Sequence, residues 1–204
     1  EIPLRLVGSE MCIRDSISTA IRYAVDNGAK VINMSLGKYT SPDADMVNEA
    51  IEYALKKDVL IIQAAGNNKR NIDLITYFPS AKDAQGKIFP NYLRVGSSDK
   101  KGQLSQFSNY GAKEVDVFAP GEEITSVTVG NKYMVSQGTS IATPIVSGVA
   151  AMLRAHFPKL TATQIKEILI KSVRPADNLK DRCTSGGIID ALQAVKLAIE
   201  YKKR

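Results

Sequence analysis

Short apolar runs alternate with amphipathic segments in the first third of this chain, and that alternation restricts its fold more than any other feature. Lys30-Val31-Ile32-Asn33-Met34-Ser35-Leu36 and Val59-Leu60-Ile61-Ile62-Gln63-Ala64 read as strands buried on both faces. Between them, Val47, Ala50, Ile51, Ala54 and Leu55 recur at helical spacing. Ser41-Pro42 supplies a capping residue followed by proline at the first helical position. Upstream, Ile17, Ala20, Ile21, Ala24 and Val25 mark a helix over 17–27 that Gly28 is placed to stop. Strand-helix-strand alternation implies βαβ units and a mostly parallel sheet.

The stretch from about 68 to 136 is richer in Gly, Pro, Asn and Ser. Strands are expected at 92–96, 115–118, 124–128 and 132–136, as an extension of the same sheet. From Ser140 the pattern turns helical. Ile145, Val146, Val149, Ala150, Met152 and Leu153 leave almost no polar face, which describes a buried central helix. Thr161-Ala162-Thr163-Gln164 fits a capping box ahead of Ile165, Ile168 and Leu169. A last helix over about 190–201 carries Leu192, Val195, Ala198 and Ile199 on one face. The expected fold class is α/β, a three-layer sandwich around a mostly parallel sheet. The chain opens on Pro3-Leu4-Arg5-Leu6-Val7, a strand by pattern, whereas Gly8 to Ser16 fits no pattern.

The 204 residues suffice for one core, and 44% apolar content argues against disorder. The net charge of +6 is dispersed, with a dense basic run only at Lys202-Lys203-Arg204. That reads as a solvated surface with no nucleic-acid motif. No apolar stretch is long enough to span a membrane. Cys12 and Cys183 show no metal spacing, and the sequence leaves both free thiols and one disulfide open. None of the 14 glycines forms G-x-G-x-x-G, which argues against dinucleotide binding.

Chemistry concentrates at Gly138-Thr139-Ser140-Ile141-Ala142-Thr143-Pro144, where a serine sits among small residues at the start of a helix. A helix N-terminus offers unpaired N–H groups and partial positive charge, which suit an oxyanion beside a serine oxygen. Ser140 is the candidate nucleophile; the plainer reading is a helix cap. Asn67, in Ala64-Ala65-Gly66-Asn67, is the candidate oxyanion donor; the plainer reading is a turn residue after a strand. Pro144 removes the hydrogen bond that Ser140's carbonyl would have accepted. A serine needs a base, and the one histidine, His156, lies sixteen residues further on. Along a straight helix that is about 24 Å, against the roughly 3 Å a general base requires. G-x-S-x-G is absent around Ser140, which argues against an α/β-hydrolase elbow.

These residues resemble the subtilisin-like serine proteases, the subtilases. The nucleophile motif G-T-S-x-A-x-P matches at positions 138, 139, 140, 142 and 144. Val31-Ile32-Asn33-Met34-Ser35-Leu36-Gly37 is similar to the family's substrate-binding strand, and Ala64-Ala65-Gly66-Asn67 to its oxyanion-hole block. Gly187-Ile188-Ile189-Asp190-Ala191 is similar to its C-terminal signature. The resemblance runs from about residue 17 to the end. It implies a subtilisin-like fold and a serine endopeptidase that forms an acyl-enzyme on Ser140, with Asn67 as oxyanion donor. Ser35, Leu36 and Gly37 would pair with an extended peptide. Ala64, Ala65 and Gly66 would line the pocket for the side chain before the scissile bond, with Tyr77-Phe78-Pro79 closing it. Gly138 and Thr139 would give the tight approach to the nucleophile.

The resemblance further implies a peptide or protein substrate, no nucleic acid, no required cofactor, and an extracellular or periplasmic parent. Relatives often hold structural calcium, so calcium is possible, but no metal ligand is assigned here. The family's D-[ST]-G and H-G-T-H blocks do not occur in the sequence and would stand upstream. Residues 1–204 would then be the C-terminal part of a single catalytic domain, truncated at its N-terminus, inactive alone and prone to aggregate through an open sheet edge. The alternative is a catalytically inactive peptide-binding relative.

Overall fold

The computed structural model describes residues 16–41, 44–83 and 85–201. The expected strand at 3–7, and the anomalous segment apart from Ser16, lie outside them. Residues 16–26 form helix α1, and Gly28 follows at φ +84°, in the left-handed region. Then come β1 (Val31–Met34), α2 (Asp45–Lys56), β2 (Leu60–Ala64), β3 (Tyr92–Ser98) and β4 (Val117–Pro120). The antiparallel hairpin β5 (Ile124–Thr128) and β6 (Lys132–Ser136) precedes the long helix α3 (Thr139–His156). Helix α4 (Ala162–Lys171), short strands β7 (Arg174–Pro175) and β8 (Gly187–Ile188), and α5 (Ala191–Tyr201) complete the chain.

The main sheet runs β1-β2-β3-β4-β8-β7, with every pair parallel except β7-β8. Residues in β2 and β3 are all buried, as expected where helices cover both faces of a parallel sheet. Alternate side chains of one strand serve the two cores. Leu60 and Ile62 pack with Leu93, Val95, Val117 and the helices α3, α4 and α5. Ile61 faces the other way, toward Ile21 and Val25 of α1 and Val47, Ala50 and Ile51 of α2. The result is the α/β sandwich around a mostly parallel sheet.

Four local expectations need correction. Helix α2 begins at Asp45 with Ala44 at its N-cap and no side-chain cap, so Ser41 does not start it. Strands β5 and β6 form a two-stranded sheet of their own rather than extending the main one. Helix α3 is not buried all round. Ala142, Val146, Ala150 and Leu153 face the core, while Pro144, Gly148, Ala151 and Ala155 are exposed. Helix α5 turns Ala194 and Ala198 inward and leaves Leu192 and Ile199 exposed. The Thr161 cap forms in full: its hydroxyl accepts from the Gln164 N–H at 3.2 Å, and Gln164 Oε1 accepts from the Thr161 N–H at 2.9 Å. Cys183 is a buried free thiol.

Candidate active site

Strands β1 to β4 run parallel, so their carboxyl ends emerge on one side of the sheet, where ligands bind in open α/β folds. The register pairs Met34 with Gln63 and Ala64 with Val95. That brings Ser35-Leu36-Gly37 and Ala65-Gly66-Asn67 out side by side. Helix α3 starts at the same edge, with Gly138 at its N-cap.

Gly138 adopts φ +142°, and a Cβ there would lie 3.0 Å from Ser140 Oγ and 3.3 Å from Asn67 Nδ2. The serine oxygen and the asparagine amide nitrogen thus flank one small opening that only glycine leaves clear. Asn67 is fixed from behind. Its Oδ1 accepts from the Thr139 N–H at 2.9 Å and from the Thr139 hydroxyl at 2.9 Å. With both bonds on oxygen, the amide Nδ2 is turned toward the opening. Thr139 is buried and its Oγ1 also accepts from the Gly66 N–H at 3.1 Å. Its side chain therefore serves Asn67 and Gly66 from within rather than facing the opening. Ser140 stands in the first turn of α3, where its N–H has no carbonyl four residues back to bond.

The acceptor freed by Pro144 is filled from another strand. Ser35 Oγ donates to the Ser140 carbonyl at 2.9 Å, across 105 residues. Asn33 Nδ2 donates to Ser35 Oγ at 3.0 Å, and Ser147 Oγ donates to Asn33 Oδ1 at 3.0 Å. The carbonyl left open by the proline thereby ties the nucleophile turn to β1.

Beneath the opening lies a scaffold that sequence reasoning missed. The Asn109 amide donates to the Ala65 carbonyl at 2.7 Å and to Tyr39 Oη at 2.8 Å, while its Oδ1 accepts from the Asn68 and Arg70 N–H groups. Arg94, 1% exposed, donates to Gln63 Oε1 at 2.9 Å, Glu114 Oε2 at 3.0 Å, and the carbonyls of Tyr77 at 3.1 Å and Pro79 at 2.9 Å. Gln63 Nε2 in turn donates to the Leu36 carbonyl at 3.2 Å. An arginine inside a strand and an asparagine in a loop carry no local signature, because their partners come from distant segments.

The other expected residues fall around this centre. Ser35, Leu36 and Gly37 are exposed at the end of β1. Ala64, Ala65 and Gly66 are buried, and Ala65 packs in one cluster with Tyr77. The segment ending in Phe78-Pro79 pairs with Lys38 through two backbone bonds, of 2.9 and 2.7 Å. An apolar cavity of about 580 Å³ lies beyond Leu36 and Gly37, between α1, β1 and α2. His156 bonds the Met152 carbonyl at the far end of α3 and has no part in the site. Among the described residues, no three His, Cys, Asp or Glu side chains cluster as a metal site, and no helix is long and apolar enough to cross a membrane.

The Subtilase family model, peptidase S8, matches residues 2–188. The chain belongs to the subtilase family. It is 41% identical over 140 residues to a thermophilic serine proteinase of Bacillus sp. strain AK1, a match that covers 69% of this chain and 32% of the relative. With subtilisin DY of Bacillus licheniformis it shares 32% identity over 182 residues, covering 89% and 62%. The structure of the prenylagaramide maturation protease PagA matches with a TM-score of 0.76 at 32% identity, over 91% of this chain and 67% of that one. The chain thus spans about a third to three-fifths of the length of these two sequence relatives. Other relatives include the major intracellular serine protease and a cell wall-associated protease of Bacillus subtilis, so membership assigns no compartment.

Proposed function

We propose that this chain carries the nucleophile and oxyanion hole of a serine endopeptidase. The observation behind the proposal is the opening around Gly138, where Ser140 Oγ and the back-anchored Asn67 amide face the same point. A peptide carbonyl placed there is attacked by Ser140 Oγ as a base takes the hydroxyl proton. The negative charge that develops on the carbonyl oxygen is held by Asn67 Nδ2–H and the Ser140 N–H. Collapse expels the amine, which receives the base's proton, and leaves an acyl-Ser140 ester. Water then hydrolyses the ester by the same proton path. The subtilase resemblance implies that the base is a histidine oriented by an aspartate; His156, bonded to the Met152 carbonyl at the far end of α3, is not that base. Ser35-Leu36-Gly37, exposed at the sheet edge, pairs with the substrate backbone.

A second reading is a peptide-binding relative that keeps the substrate strand without turnover, and the position of His156 favours it. One experiment separates the two. The full-length protein containing this chain is treated with a fluorophosphonate and assayed for peptide hydrolysis. Labelling at Ser140 and turnover, both lost in Ser140→Ala, are expected. Peptide binding without labelling or turnover would establish the second reading instead.

A further inference from the structure

Tyr77 stands where a substrate side chain would otherwise go. The subtilase resemblance implies that, with a scissile carbonyl between Ser140 and Asn67, the side chain of the residue that carries it enters between Ser35-Leu36-Gly37 and Ala64-Ala65-Gly66. That space is filled. A Cβ on Gly37 would lie 2.5 Å from Tyr77 Oη, and one on Gly66 would lie 2.8 Å from the same atom. The phenol therefore touches the backbone of both walls at once. Glycine at 37 and 66 makes room for Tyr77 itself, not for a ligand.

The ring is also held. Tyr77 is 7% exposed and packs edge-on against Tyr39, with centroids 5.0 Å apart. Its carbonyl is gripped by buried Arg94, and the Arg94 guanidinium carbon lies 5.9 Å from its ring centroid. The next residue is tied to Lys38 by the paired backbone bonds. A side chain held at its backbone and packed along its ring is a wall, not a flap.

The resemblance sets Tyr77-Phe78-Pro79 at the end of this pocket; we infer that the Tyr77 ring fills it and restricts this site to peptides with glycine or alanine before the scissile bond. The inference rests on the peptidase reading for the placement of the carbonyl.

The test is binding, so it does not depend on turnover. Affinities of Ala-Ala-Pro-Ala and Ala-Ala-Pro-Phe, as free acids, are measured by calorimetry on the full-length protein and on its Tyr77→Gly and Tyr77→Phe variants. The native protein and Tyr77→Phe are expected to favour the alanine peptide at least about tenfold, because both keep the ring. Tyr77→Gly should reverse the preference by removing it. Equal affinity for both peptides in the native protein would overturn the inference. A ring that rotates into the 220 Å³ cavity beside Ile75, Ser80 and Glu114 would give that result. Binding of neither peptide would overturn it as well. The native comparison decides even if Tyr77→Gly fails to fold. Fluorophosphonate labelling of Ser140 on the same samples tests the peptidase reading separately: alanine preference without labelling upholds the pocket and removes the catalysis.

Discussion

Thr139→Val tests how the oxyanion donor is aimed. Valine matches threonine in shape, so the change opens no cavity, and the backbone bond from the Thr139 N–H to Asn67 Oδ1 survives. Two bonds are lost: the hydroxyl to Asn67 Oδ1 at 2.9 Å and the Gly66 N–H to Thr139 Oγ1 at 3.1 Å. The Gly66 amide is buried and would be left without its acceptor, which costs about 1–3 kcal/mol. For a domain of this size, roughly 2–4 °C of melting temperature corresponds to each kcal/mol. A drop of about 2–12 °C is therefore expected, about 4–8 °C for a loss of about 2 kcal/mol. Asn67, held at one point instead of two, should swing off its aim. Deleting such a donor outright costs about 10²–10³-fold in kcat, a value known from a subtilisin. Asn67→Ala should lose that much, and Thr139→Val about tenfold, with KM unchanged in both. Thr139→Ser keeps both side-chain bonds and should stay near the native protein. The assays are kcat and KM on a peptide substrate with the full-length protein, and thermal unfolding of the same samples. A Thr139→Val protein that melts within about 1 °C of native and turns over at the native rate would refute the anchoring argument.

Arg94→Met should destabilise the protein in denaturant unfolding by about 1–3 kcal/mol for each buried acceptor left without its donor, because it strips donors from Gln63 Oε1 and from the Tyr77 and Pro79 carbonyls and leaves Glu114 to Lys82 alone. Arg94→Lys should recover little of this, since an ammonium cannot match the planar fork; full recovery would show that only the charge mattered. Burial holds the Tyr77 hydroxyl above its ordinary pKa of about 10. The protonated phenol is the form the fold favours, so its contribution is complete below pH about 10 and is lost as pH rises through the raised value. Tyr77→Phe has no such proton, and its unfolding free energy should fall less between pH 10 and 12; an identical decline in both proteins would mean that Tyr77 does not titrate differently on folding.

Much of the fold was legible because burial writes itself into neighbouring residues. The runs at 31–34 and 60–64 are apolar throughout because helices cover both faces of their sheet, and Thr161 with Gln164 closes its box within four residues. Errors arose where local chemistry had a competitor. Ser41 offers a cap, yet the helix waits until Asp45. The apolar residues of 145–153 read as an enclosed helix, although the described residues cover only one side of it.

At the site, the sequence by itself determined which groups are available. Small residues flank Ser140, a glycine precedes Asn67, and Pro144 strips a donor from the helix, all visible within the G-T-S-x-A-x-P and A-A-G-N blocks. Only the tertiary structure decided how they are used. Ser35 completes the Ser140 carbonyl from across the sheet, Thr139 turns Asn67's amide outward, and Tyr77 comes to rest between Gly37 and Gly66. The reason is sequence separation. A hydrogen bond within one helical turn constrains residues three or four positions apart, whereas these contacts join the ends of β1 and β2, set side by side by their parallel register, to the start of α3 and the loop that carries Tyr77. That register is fixed by burial of whole strands and not by the residues of the site.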